Sequence, residues 1–177
     1  MMKRFLSIVL PLLTATAVLY AEDQLEEVQI PLGGEQLKYV KLYAPSAERG
    51  RVQLQKEDGK VTVEWKDATQ KSKICFDSGL FEGILADLRA KNLQPVEFVV
   101  GIRYEGTDKP QLGTYLFSTN ATKNRSFFFR LKDGYAEYST KRDDLQNLTQ
   151  FQIRGGATKF TVEKLAFRVK TIESKEE

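Results

Sequence analysis

Between residues 37 and 170, apolar and polar positions alternate with a period of two. The runs recur about every ten residues and are separated by Gly, Asp, Asn or Pro, the pattern of half-buried antiparallel strands. It predicts strands at 37–44, 51–55, 60–66, 72–76, 96–104, 113–118, 126–131, 135–140, 149–154 and 159–170. Lys56-Glu57-Asp58-Gly59 and Lys132-Asp133-Gly134 are tight turns, because Gly tolerates positive φ, and Gly155-Gly156 is a further turn. In the last strand Phe160 and Val162 share one parity while Leu165, Phe167 and Val169 share the other. A β-bulge at Glu163-Lys164 reconciles them, since one extra residue switches the faces. The segment 81–92 supports two readings: it holds helix formers, yet Ile84, Ala86, Leu88 and Ala90 alternate with Asp87, Arg89 and Lys91. Its neighbours are strands, so a strand is expected here too. Ten or so short strands make an all-β chain, a two-sheet antiparallel β-sandwich of jelly-roll type.

Parity also sorts the aromatics. Trp65 lies with Val61 and Val63, Tyr104 with Val96, Phe98, Val100 and Ile102, and Phe127 with Phe129 and Leu131, so all are expected in the core. The opposite parities present Glu97, Val99, Gly101 and Arg103, then Phe128 and Arg130, then Gln150, Gln152 and Arg154, with Tyr135 or Tyr138 beside them. Aromatic rings stack on sugar rings, and fork-shaped groups hydrogen-bond paired hydroxyls. Arg103, Phe128, Arg130, Tyr138, Gln152 and Arg154 are therefore the expected ligand contacts. The alternative is a solvated sheet face with ordinary charges.

Composition narrows the chemistry. The 177 residues include no histidine and one cysteine, which excludes histidine-dependent catalytic triads, His-ligated metals, an internal disulfide and a cysteine zinc cage. Cys75 lies between apolar neighbours and is expected to pack as a small core residue. Asp58-Gly59 and Asp133-Gly134 would suit either calcium or plain hairpins; no EF-hand loop is present, so no cofactor is expected. No strand carries two or three acids on one face, so the chain is read as non-enzymatic. Sequons occur at Asn120, Asn124 and Asn147.

The amino terminus reads as an address. Lys3-Arg4 precede an apolar run, 5–21, that is interrupted by Pro11 and followed by Glu22-Asp23. This is the layout of a secretory signal cut after Ala21, or alternatively after Ala17. The run is shorter than the roughly 20 residues that span a bilayer. Residues 22–177 are then one domain with its core at about 37–169, ending in a charged tail at 173–177, and the protein is secreted or periplasmic with no stable membrane insertion. The formal charge of +3 rests on 27 basic and 24 acidic residues; loss of Lys3 and Arg4 leaves 25 and 24. A near-neutral chain has no bulk attraction for nucleic acid or anionic lipid.

Leu148-Thr149-Gln150-Phe151-Gln152-Ile153-Arg154, a glycine turn and Phe160-Thr161-Val162-Glu163-Lys164-Leu165-Ala166-Phe167-Arg168 together resemble the end of galactose-binding-like jelly rolls, a superfamily that includes many carbohydrate-binding modules. Those modules finish with an aromatic, small, aliphatic, acid, acid, aliphatic strand; Lys164 stands where the second acid falls. The segment from Phe81 to Ala90 followed by Pro95 to Arg103 is similar to the middle strand pair of such modules. The resemblance implies the fold, and with it a non-catalytic carbohydrate binder whose partner is a glycan. An envelope structural or assembly protein, using the same face for protein contact, is the alternative. A small carboxylate-dependent glycan-cleaving enzyme is the third reading.

Overall fold

The computed structural model describes residues 25–66, 71–106, 111–119, 125–155 and 159–172. The expected leader at 1–21, the sequons at Asn120 and Asn124, the second glycine of the Gly155-Gly156 turn and the tail at 173–177 lie outside these residues. Eleven strands are described: β1 (Glu26–Gln29), β2 (Val40–Tyr43), β3 (Val52–Glu57), β4 (Lys60–Trp65), β5 (Lys73–Asp77), β6 (Leu93–Tyr104), β7 (Leu112–Thr119), β8 (Arg125–Arg130), β9 (Gly134–Lys141), β10 (Leu148–Gly155) and β11 (Lys159–Thr171). One helix, α1 (Glu82–Ala90), joins β5 to β6.

The strands form two sheets in which every pairing is antiparallel. The first runs β3-β4-β11-β6-β9, with β1 also paired to β11; the second runs β2-β5-β10-β7-β8. β11 is long enough to serve two neighbours on one side, β4 along Lys159 to Val162 and β1 along Ala166 to Val169. The jelly-roll sandwich read from the period-two pattern is the architecture found.

The core lies between the sheets. Val61, Val63 and Trp65 point inward with Phe98, Val100, Ile102 and Tyr104 from the first sheet, facing Ile74, Phe76, Tyr115, Phe117, Phe151 and Ile153 from the second. The β11 bulge sits where parity demands it: Val162 pairs with Ile102 but Lys164 pairs with Gly101, so Glu163 is the extra residue. Phe160 and Val162 before it, and Leu165, Phe167 and Val169 after it, are all buried. The Asp58-Gly59 and Lys132-Asp133-Gly134 turns hold Gly59 and Gly134 at φ of 81° and 83°, as hairpin turns require.

Three expectations are corrected. Residues 82–90 form a helix, because Phe81, Leu85 and Leu88 recur at helical spacing and bury against the core, whereas Ala86 and Ala90 are exposed. Asn92, at φ 55°, ends it in the left-handed conformation common just past helix termini. The first half of 37–44 is a 3₁₀ turn (Gly34–Tyr39) rather than strand, its carbonyl at Leu37 accepting from Lys56 Nζ at 2.9 Å. Finally, the core begins before residue 37: Ile30 and Leu32 are buried, and β1 carries no alternation strong enough to read from sequence.

Candidate functional site

The outer surface of the second sheet is built by the residues whose neighbours along each strand are buried. Val40 and Leu42 point inward, so Lys41 and Tyr43 point out; Ile74 and Phe76 point inward, so Lys73, Cys75 and Asp77 point out. By the same alternation β10 presents Gln150, Gln152 and Arg154, β7 presents Leu112, Thr114, Leu116 and Ser118, and β8 presents Ser126, Phe128 and Arg130. Register then lines them up across the sheet. Tyr43 pairs with Lys73, Lys73 lies beside Arg154, Arg154 pairs with Thr114, and Thr114 pairs with Phe128. This row spans four strand spacings, about 19 Å, and has an exposed aromatic at each end. Phe128 is 81% exposed and Tyr43 is 47% exposed. Lys73 Nζ sits 6.0 Å from the Tyr43 ring centre.

A polar chain crosses the neighbouring rows. Lys41 Nζ contacts Asp77 Oδ2 at 2.7 Å, Gln150 Nε2 donates to Asp77 Oδ1 at 2.8 Å, and Gln152 Nε2 donates to Gln150 Oε1. Asp77 accepts only, so it fixes the amide orientation of Gln150, which in turn fixes that of Gln152. The chain ends on Gln152 Oε1, which is buried and has no hydrogen-bond partner; Arg154 Nε, two residues on, is buried and equally unmet. Asp77 is the one carboxylate on this described face.

The outer surface of the first sheet is different in kind. Arg103 Nε donates to Glu163 Oε1 at 2.7 Å, and its guanidinium lies 5.6 Å from the Tyr135 ring centre. Lys164 bridges Glu27 and Glu137, Tyr135 donates to Glu137 at 2.9 Å, and Arg168 contacts Glu97 at 3.1 Å and Glu27 at 3.4 Å. These side chains roof Val99 and Ala166, which are fully buried despite facing outward. Gly101 is required beneath them, since any side chain there would collide with Tyr135 Oη and Lys164 Cβ. Glu27, Glu97, Glu137 and Glu163, which build this roof, each have a cationic partner.

Four of the six expected contacts, Phe128, Arg130, Gln152 and Arg154, therefore come together on the second sheet. Arg103 does not join them: β6 belongs to the first sheet, so "outward" for Arg103 is the opposite side of the sandwich. Tyr138 does not join them either. The turn at Gly134 sets β9 so that Tyr135 faces out while Tyr138 points in, 5.1 Å from the Phe129 ring and 6.3 Å from Tyr115, its hydroxyl donating to the Arg130 carbonyl. Tyr138, Tyr115 and Phe127 instead line a groove of about 490 Å³ between the edge strands β8 and β9. Sequence reasoning missed Tyr43 and Lys73; their parity opposite to Leu42 and Ile74 was the available signal.

Cys75 is buried, as expected, but beneath the polar chain of the outer face rather than among the apolar residues between the sheets. Burial pushes its thiol up to about 11, so thiolate is scarce at neutral pH. Cys75 is expected to resist a maleimide for hours in native protein and to react within minutes in denaturant, as read by intact mass. Among the described residues no group of three or more carboxylate or thiolate side chains is placed to hold a metal ion, and no helix is long and apolar enough to cross a membrane.

No family model matches the sequence, and no curated protein matches it. Solved structures do match its fold. BiXyn10A CBM1 in its apo form superposes with a TM-score of 0.57 at 8% identity, over 81% of this chain and 96% of that one. A CBM29-2 variant complexed with cellulohexaose gives 0.51 at 10% identity, over 82% and 92%. The Clostridium thermocellum xylanase Xyn10B CBM22-1–GH10 modules, complexed with xylohexaose, give 0.52 at 9% identity, over 84% of this chain and 30% of that one. The fold is that of carbohydrate-binding modules.

Proposed function

We propose that this protein is an exported, non-catalytic carbohydrate binder whose ligand lies across the outer face of the second sheet. The observation that carries the reading is the cross-strand row from Tyr43 to Phe128, two solvent-exposed rings separated by polar and cationic side chains. Exposed aromatics are costly to leave in water and well suited to the apolar faces of sugar rings, while Gln150, Gln152 and Arg154 between them match hydroxyl groups. A row of about 19 Å accommodates several linked rings. The structures of similar fold solved with xylohexaose and cellulohexaose support the same class of ligand. Asp77, already held by Lys41 and Gln150, leaves the face without the second carboxylate that glycoside hydrolysis needs. The leader-like segment at 1–21 supports export to the periplasm or beyond.

A glycan array followed by calorimetry on the best hit tests this. Phe128→Ala and Tyr43→Ala are each expected to weaken binding about tenfold with unchanged circular dichroism. Tyr135→Ala, on the opposite face, is expected to leave binding unaltered. A silent array, or equal losses for all three variants, would refute the assignment.

A further inference from the structure

Resting on that reading of the site, we infer that the glycan is acidic, a chain carrying carboxylate groups on its sugar rings. The argument begins with charge. The described outer face of the second sheet carries Lys41, Lys73, Arg130 and Arg154 against the single acid Asp77. Lys41 is the cation that pairs with Asp77, so Lys73, Arg130 and Arg154 have no carboxylate partner among the described residues. On the other outer face Glu27, Glu97, Glu137 and Glu163 are each paired with a cation, and Glu64 on β4 adds a further acid, so acids there offset the bases. The excess positive charge is therefore local to the candidate site and invisible in the near-neutral total.

The second strand of the argument is unmet hydrogen bonding. Gln152 is only 5% exposed, and its Oε1 is left without a donor by the Lys41–Asp77–Gln150 chain that orients it. Arg154 Nε is buried without an acceptor. A buried polar atom without a partner is costly, so both side chains gain hydrogen bonds by turning toward a ligand laid on this face. Their demands are opposite: the amide oxygen requires a hydroxyl donor, and the guanidinium prefers an anionic oxygen. The two residues are two apart on one strand, so their backbone positions repeat about 7 Å apart on this face. A uronic acid chain offers hydroxyls and carboxylates at that scale, whereas a neutral sugar lacks the anion and a bare polyanion lacks the donor.

The decisive comparison is polygalacturonate against the same polymer fully methyl-esterified, by calorimetry and affinity electrophoresis. The acid form is expected to bind at least tenfold more tightly in low salt, and added NaCl is expected to shrink the difference. Arg154→Gln is expected to weaken binding of the acid form at least tenfold and of the ester by a much smaller factor, so that most of the preference is lost. Lys73→Gln, at a half-buried position, is expected to weaken it severalfold and guards against a folding defect at Arg154. Equal affinity for acid and ester, or binding confined to neutral xylohexaose and cellohexaose, would overturn the acidic assignment while leaving carbohydrate binding intact. Absence of binding to every glycan would overturn both. Equal affinity for polygalacturonate, dextran sulfate and a single-stranded oligonucleotide would reduce the site to unspecific polyanion attraction and also overturn the inference.

Discussion

Phe98→Ala is expected to lower the free energy of unfolding by about 3–5 kcal/mol, the upper range for truncating a core aromatic. Phe98 stands where the two sheets and α1 meet. Its ring lies 4.7 Å from that of Phe151 and 5.3 Å from Phe117 on the facing sheet, 5.6 Å from Phe167 on its own sheet, and 6.3 Å from Phe81 at the start of α1. Edge-on and tilted contacts of this kind add to the burial of the ring itself. Four bulky neighbours, each fixed by its own strand or helix, cannot collapse into the space that truncation leaves, so a cavity persists. Denaturant titration of Phe98→Ala against Leu54→Ala, a partly buried position on the edge strand β3, measures the difference. A Phe98→Ala loss of less than about 1.5 kcal/mol would mean that the sandwich interior is not organised around this ring.

That organisation was legible from the chain because large apolar residues recur at every second position. Val61, Val63 and Trp65, or Phe98, Val100, Ile102 and Tyr104, leave no doubt about which face is buried, and the parity switch in β11 even placed the bulge around Glu163-Lys164, where the register has it. The helix escaped because Ala86 and Ala90 counted as apolar in an alternating pattern, although alanine is indifferent to burial. Only Phe81, Leu85 and Leu88 reported the true spacing. The site escaped in part for a different reason. Parity is a local property: it states that Arg103 and Phe128 both face away from the core, and cannot state that they belong to different sheets. That assignment depends on which strands pair, and pairing is decided by contacts far apart in sequence, such as β10 between β5 and β7.

The same ambiguity hid a network of partly buried charges on the first sheet. Glu97 points away from the core yet is almost wholly buried, covered by Arg168 and its neighbours. Burial alone would raise the Glu97 carboxyl, but hydrogen bonds from Ser139 and Arg168 outweigh it and hold it below its ordinary value of 4.5. Lys164 likewise holds Glu137 below that value, against the opposing effect of its partial burial. A carboxyl that ionises more readily in the folded chain leaves the unfolded chain with more bound protons. Its stabilisation is therefore complete above about pH 4.5 and disappears as the pH falls through the lower folded values. Glu97→Gln keeps the shape but removes the charge facing Arg168, and is expected to cost about 2 kcal/mol at neutral pH. As the pH falls below 4.5 and through the lowered folded value, the wild-type carboxyl takes up its proton, so the gap between wild type and variant is expected to close progressively, as followed by denaturant titration across the acid range. A gap independent of pH would show that the variant acts through packing over Val99 and Ala166 rather than through charge. A gap that widens on acidification would reverse the sign of the linkage and contradict the ion pairing described for this face.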